Sequence, residues 1–289
     1  MFESLESIIA QCKNENKTFA QIVIENEIKA TDNSEEKIIA KMQHMWDVML
    51  EASASYEGSR FSNSGFSGGD GKLFSEYAAG GNTISGGYIS CVISEALKMA
   101  ESNACMQRIV ASPTAGACGV LPAVLIPLYQ QNKYSKEKFV EALFVSAGIG
   151  QVIANKACIS GAQGGCQAEI GSASAMAAGS LVYLAGGSAE QIAMAVGLAL
   201  QNLLGLVCDP VAGYVEIPCI KRNVIGAVNA VSCADMVLAG IKEKIPADEV
   251  IEAMGQVGQK MDSTLRETGE GGIAACKTAR RLACVVQKL

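Results

Sequence analysis

Apolar residues recur along most of this chain at helical spacing, in blocks separated by Gly, Pro and Ser. The pattern predicts a short amphipathic helix over 3–12 and a second over 19–30. Asn33 or Ser34 is placed to cap a long third helix. Glu35 and Glu36 fall in its first turn, and Ile38, Ile39, Met42, Met45, Trp46 and Met49 lie on one face. Further helices are predicted over 88–103, 119–131, 136–155, 167–185, 189–205, 219–239 and 247–261. The turn SPTAGACG (112–119) opens the helix at 119, and GGS joins the apolar pair at 185–189. No run of alternating residues and no strand–helix rhythm interrupts this pattern. We therefore expect an all-α fold, one compact multi-helix domain over 1–289 with Gly-rich loops around its site and no internal repeat.

The breaks are as informative as the helices. Residues 59–87 are rich in Gly and Ser, with SGFSGGDGK at 64–72 and AGGNTISGG at 79–87. A stretch of that length without regular pattern is usually functional or disordered. Between apolar helices, it reads as a loop ordered over a site, with a partner's help. GAQGG (161–165) breaks the chain just before Cys166, and 208–218 is irregular. The longest apolar region, 180–207, is interrupted by Gly186, Gly187, Glu190 and Gln191. Each half is shorter than the roughly 20 apolar residues a bilayer span needs, so it reads as two buried helices and no membrane association is expected.

Composition sharpens this. The chain is 49% hydrophobic and 18% charged, with few aromatics and 30 Gly, which favours closely packed buried helices over a strand sandwich. The net charge is -6 with no basic stripe, so a nucleic-acid partner is not expected. The start, MFESLESIIAQCKNENK, has neither a basic n-region nor an apolar h-region, and a cytoplasmic location is expected. The 11 cysteines are odd in number, which points to free or metal-bound thiols in a reducing compartment. Most are expected in the core.

Three cysteines have distinctive neighbours: Cys166 in GGCQ, Cys208 in VCDP and Cys219 in IPCI. Each borders a Gly or Pro break. Where a helix begins, free backbone N–H groups favour the thiolate that binds metal. Their spacing is far wider than that of a ferredoxin or zinc ribbon, so from spacing alone both a metal site and three buried structural thiols remain open.

The surrounding segments are longer and more specific. ISGAQGGCQAEIGSASAMAA (159–178) and GLVCDPVAGYVEIPCIKRN (205–223) resemble the two cysteine segments of iron–sulfur-dependent L-serine dehydratases. RIVASPTAGACGVLPAVL (108–125) resembles the Pro-Thr-x-Gly turn of that family, and SGGDGKLF (67–74) and MWDVM (45–49) are similar to its N-terminal region. The likeness covers nearly the whole chain and is that of the family's α chain. It implies a [4Fe–4S] cluster on Cys166, Cys208 and Cys219 with one iron left open as a Lewis acid for the serine hydroxyl, and no pyridoxal phosphate. It implies deamination of L-serine to pyruvate and ammonia, in amino-acid catabolism and gluconeogenesis. It also implies a β part, which in some members is a separate chain and which carries a histidine near the active site. We expect a separate β chain here, and a higher oligomer.

Other residues carry two readings each. His44, the one histidine, is a candidate base or an ordinary surface residue, and the base is expected from the β chain. Ser112, Thr114 and Gly116 offer hydroxyls and backbone N–H groups to a carboxylate, or form a structural turn. Lys72, Asn82 and Thr83 are candidate substrate contacts or solvated loop residues. Lys221 and Arg222 hold the carboxylate or tune the cluster, or are surface charge. Glu169 orients a ligand or the substrate amine, or lies on a helix surface. Cys118 in AGACG reads as a packed thiol, because the chemistry needs the fourth corner open. Some fused relatives end in a cysteine that plugs the site. Here Cys284 is followed by VVQKL, and a plug is not carried over. Two rival functions are a hydro-lyase for another β-hydroxy acid and a non-catalytic zinc or cluster protein acting as a scaffold or redox sensor.

Overall fold

The computed structural model describes residues 2–286, so the closing QKL lies outside the described residues. These residues form thirteen α-helices and no strand. The helices are α1 (Leu5–Glu15), α2 (Phe19–Thr31), α3 (Glu35–Ala54), α4 (Asp70–Ala79), α5 (Gly87–Ala104), α6 (Val120–Gln130), α7 (Lys136–Lys156), α8 (Gly161–Gly164), α9 (Ser172–Leu184), α10 (Ala189–Gln201), α11 (Cys219–Leu238), α12 (Ala247–Lys260) and α13 (Lys277–Val286). The all-helical expectation holds. Among the described residues, no helix is long and apolar enough to cross a membrane.

Local chemistry sets many of the boundaries. Ser4, Ser34 and Ser135 accept hydrogen bonds from the first turns of α1, α3 and α7. Thr18 with Gln21 and Ser188 with Gln191 form reciprocal capping boxes on α2 and α10. Such caps contribute about 1 kcal/mol each. Every residue of α9 is buried, and α6, α7, α10 and α11 pack around it. Close approach requires small residues there: a Cβ on Gly179 would lie 2.3 Å from Cδ1 of Ile149 in α7. At the other end of the core, Trp46 of α3 stacks on Phe139 of α7 at 5.1 Å and meets the edge of Tyr129 of α6 at 5.5 Å.

The structure differs from the sequence reading at three places. The segment 59–87, expected as one loop, contains α4. The expected helix 167–185 opens as a π-helical turn over Gln167–Gly171 before α9 begins. The tail folds as α13, which carries the exposed Cys284.

The first difference has a clear cause. α4 begins at Gly69 with φ +88 and no side-chain cap of its own. Its free N–H groups point instead at Glu101 of α5, which is 1% exposed. Glu101 accepts from Asp70 N at 2.8 Å, Gly71 N at 3.0 Å and the Tyr56 hydroxyl at 2.5 Å. A carboxylate from a distant helix thus supplies the cap that the local sequence lacks. Glu101→Ala should orphan these donors and cost about 1–3 kcal/mol. Denaturant unfolding and limited proteolysis should show lower stability and new cleavage within 59–80. Unchanged stability and cleavage would mean that other contacts hold α4.

Candidate functional site

Cys166, Cys208 and Cys219 come from three separate segments and are all buried, exposed by 2%, 2% and 6%; Cys219 is close enough to feel charge on Cys166 but falls outside the tight group that Cys166 and Cys208 share. Cys166 precedes the π-helical turn, and Cys219 is the first residue of α11. Both thiols therefore sit at positive helix ends. π-Turns of this kind often occur at functional sites, where the wider turn redirects a side chain. Here it brings Glu169 to the thiols, and its carboxylate and the Cys166 and Cys208 sulfurs all lie within 4.8 Å of one another.

The thiols are electrostatically linked. Cys208 faces the Cys166 sulfur as a hydrogen-bond donor and lowers its pKa. Burial opposes this shift and the Arg222 guanidinium assists it. Cys208 is pushed up by Cys166 and by burial. Cys219 is pushed up to about 12, mainly by burial and then by charge on Cys166. Of the three, only Cys166 is thus shifted toward the thiolate; Cys208 and Cys219 are shifted away from it. A soft, sulfur-rich donor set of this kind suits iron–sulfur or zinc binding, with loss of thiol protons on loading.

Arg222 organises the surroundings. It donates to the Cys166 sulfur at 3.4 Å and to the Val207 carbonyl at 2.7 Å, and pairs with Asp209 at 2.8 Å. Asp209, itself 2% exposed, accepts from Ile273 N at 2.6 Å. Gly272, at φ +56, lies so close that a Cβ there would sit 2.2 Å from Asp209 Oδ2. The chain after α12 is thereby drawn across the site. Cys208 N donates to Leu265 O at 2.8 Å and Glu267 N to Cys208 O at 2.7 Å.

The turn 112–116 joins the same place. Asn223, 1% exposed, donates to Gly116 O at 2.8 Å and Cys219 O at 3.1 Å, and accepts from Gly119 N at 2.9 Å. It ties the turn to the start of α11. Thr114 faces Glu169, and Ser112 is buried without a hydrogen-bond partner. The first part of the Gly/Ser-rich segment docks alongside. Ser62 and Ser64 donate to the buried Glu216, just before Cys219, at 2.6 and 2.8 Å.

The other candidates have other partners. Lys221 pairs with Asp70 at 2.5 Å and Lys72 with Glu76 at 3.9 Å, all four on exposed side chains. The Asn82 carbonyl accepts from Tyr77. Thr83 accepts from Ser90 and lines a cavity of about 490 Å³ to which none of the three cysteines contributes. His44 is exposed on α3. Cys118 is a packed thiol, fully buried at 3.6 Å from Met99 O and pushed up to about 12 by burial. Sequence reasoning did not single out Asp209, Glu216, Asn223 or Glu101. Asp209 and Glu216 had one visible signal, as acidic residues inside an apolar Gly/Pro-rich segment.

The described residues form an all-helical protein in which the buried Cys166 and Cys208 lie close together, with Cys219 also buried and near them. The chain belongs to the serine dehydratase alpha chain family, whose sequence model matches residues 14–274. It is 45% identical to the probable L-serine dehydratase alpha chain of Bacillus subtilis, over 98% of this chain and 94% of that protein. It is 42% identical to the L-serine dehydratase alpha chain of Peptoniphilus asaccharolyticus, over 98% of this chain and 97% of that one. The L-serine dehydratase TdcG of Escherichia coli matches at 45% over 62% of this chain, but only 40% of its own length.

Breaking one side of a buried ion pair leaves an uncompensated charge and costs about 3–5 kcal/mol. Asp209→Ala should therefore destabilise the protein by about that amount and loosen the segment it holds. Hydrogen exchange should rise at 263–276 before it rises in α9. Protection unchanged at 263–276 would show that Asp209 does not hold the segment.

Proposed function

We propose that this chain, with a separate β chain, converts L-serine to pyruvate and ammonia, and that Cys166, Cys208 and Cys219 hold a [4Fe–4S] cluster for that reaction. The observation that carries this reading is the close approach of the Cys166 and Cys208 thiols from distant segments, with the buried Cys219 near enough to feel charge on Cys166, in a chain of this family. The donor set supports it: three buried sulfurs, two of them at helix starts, and one guanidinium beside Cys166, with burial raising Cys208 and Cys219. A cluster with three cysteine ligands keeps one iron open, and that iron supplies Lewis-acid chemistry to the leaving hydroxyl.

The chain's own residues supply the setting. Arg222 places a fixed positive charge beside Cys166, where it offsets negative charge on the sulfur. Asn223 and Glu216 fix the turn 112–116 and the segment 62–67 around the thiols, leaving the Ser112 hydroxyl free to donate to a carboxylate. The base that takes the Cα proton is assigned to the β chain, because the one histidine here is exposed on α3. Loss of that proton and of the hydroxyl, followed by hydrolysis of the resulting imine, returns the water lost. Pyruvate and ammonia are left, with no net electron transfer. Lys72, Asn82, Thr83 and Lys221 are kept as outer contacts that the β chain and substrate would reorganise.

The test is anaerobic assembly of the chain with iron, sulfide and its β chain. About four irons and four sulfides should bind per chain, and L-serine should yield pyruvate and ammonia. Cys166→Ser, Cys208→Ser and Cys219→Ser should each lose both iron and turnover, while Cys91→Ser, at an exposed thiol, retains both. Binding of one zinc without sulfide, or full turnover in any of the three variants, would defeat the proposal.

A further inference from the structure

Away from the cysteines, the cavity of about 490 Å³ holds a buried charge with an unmet need. The cavity lies between α4, the loop 81–87, the face of α5 that carries Ser90, Glu95 and Lys98, and the end of α6. Glu95 is 4% exposed, yet its Oε1 has no hydrogen-bond partner among the described residues. Lys98, one turn further along α5, stands 3.8 Å from Oε2, beyond hydrogen-bond range. Burial pushes the carboxyl above its ordinary range, and the Ser53 hydroxyl and the Lys98 ammonium pull it back. A buried acceptor left unpaired costs about 1–3 kcal/mol, and more where it is charged.

The hydroxyls that line the same cavity do not supply the missing donor. Ser75 donates to Gly71 O at 2.6 Å, so the hydrogen in its 2.6 Å contact with Ser94 comes from Ser94. The Ser90 hydroxyl is tied to Gly86 O at 2.5 Å. Their hydrogens are engaged within the protein. What the cavity then offers is two opposite charges 3.8 Å apart, Glu95 deep in the wall and Lys98 with its side chain 27% exposed. A bare cation would be repelled by Lys98, and a bare anion by Glu95. A molecule that carries both signs one carbon apart meets both, its ammonium on Glu95 and its carboxylate on Lys98.

We propose that this cavity binds an α-amino acid as its zwitterion, at a site separate from the three cysteines. The ammonium group donates to Glu95 Oε1, the carboxylate accepts from Lys98, and the side chain occupies the space beside Ser75, Ser90 and Ser94. None of the three cysteines lines the cavity, so the site needs neither a cluster nor a β chain. It therefore stands apart from the dehydratase reading above.

The test is equilibrium dialysis of the full chain against L-alanine, L-lactate and L-alaninol. L-Lactate replaces the ammonium by a hydroxyl, and L-alaninol replaces the carboxylate by an alcohol. L-Alanine has no β-hydroxyl to lose, so it is not a substrate of the reaction proposed above. It should bind saturably and about tenfold or more tighter than either analogue. Glu95→Gln and Lys98→Met should each weaken L-alanine about tenfold or more, while Glu95→Gln moves L-lactate less than about twofold. Ala79→Trp, on the exposed rim of the cavity, should close it and abolish binding without entering the core. If Glu95→Gln fails to fold, Ala79→Trp decides alone. No saturable binding of L-alanine, equal binding of the three compounds, or binding unchanged in Ala79→Trp would overturn the proposal. Pyruvate is not the readout, so failure of the dehydratase reading leaves this result standing, and the reverse.

Discussion

The partly buried guanidinium of Arg222 ties together parts of the chain that are distant in sequence. It contacts the Cys166 sulfur, the carbonyl just before Cys208, and Asp209 just after it. Asp209 in turn fixes Ile273 N, so the charge of one side chain reaches the segment beyond α12. An arginine suits this role because its planar fork donates in several directions and stays charged when buried. Burying such a charge is costly, and here the cost is offset by a paired carboxylate and by hydrogen bonds on the remaining N–H groups. The other elements of the site are arranged around this fixed point.

Two further carboxylates perform a similar service for the Gly/Ser-rich segment. Glu216 takes two serine hydroxyls from residues 62 and 64, and Glu101 caps α4. A flexible sequence is thereby ordered by acceptors that lie far away in the chain. The cost of ordering it is substantial, on the order of 1–2 kcal/mol per residue for the backbone, so such a segment stays in place only where buried polar contacts hold it. The segment therefore presents a set surface beside the thiols.

The thiols and Glu169 are in tension with their surroundings. Burial favours protonated Cys208 and Cys219, and raises Glu169 as well. These shifts all favour protonated groups, and cations bound at the site would reverse them. A centre that is unfavourable as a set of anions is suited to take up a metal cation.

Most helices were legible in the sequence, because a buried helix must repeat its apolar face at a fixed interval and Ser or Thr at its start marks where it begins. The boundaries of α2, α3, α5, α7, α10 and α12 fall within a few residues of the pattern. The candidate cysteines and the turn 112–116 stood out in the sequence through unusual local composition and through likeness to a family. α4 was not, since its cap is Glu101, thirty residues further along, and neither was the latch of Asp209 on Ile273. Periodicity and caps are local properties that a linear chain displays directly. Which buried carboxylate meets which distant N–H is decided only when the helices pack, because desolvation makes each unpaired group costly and leaves few arrangements in which all are matched.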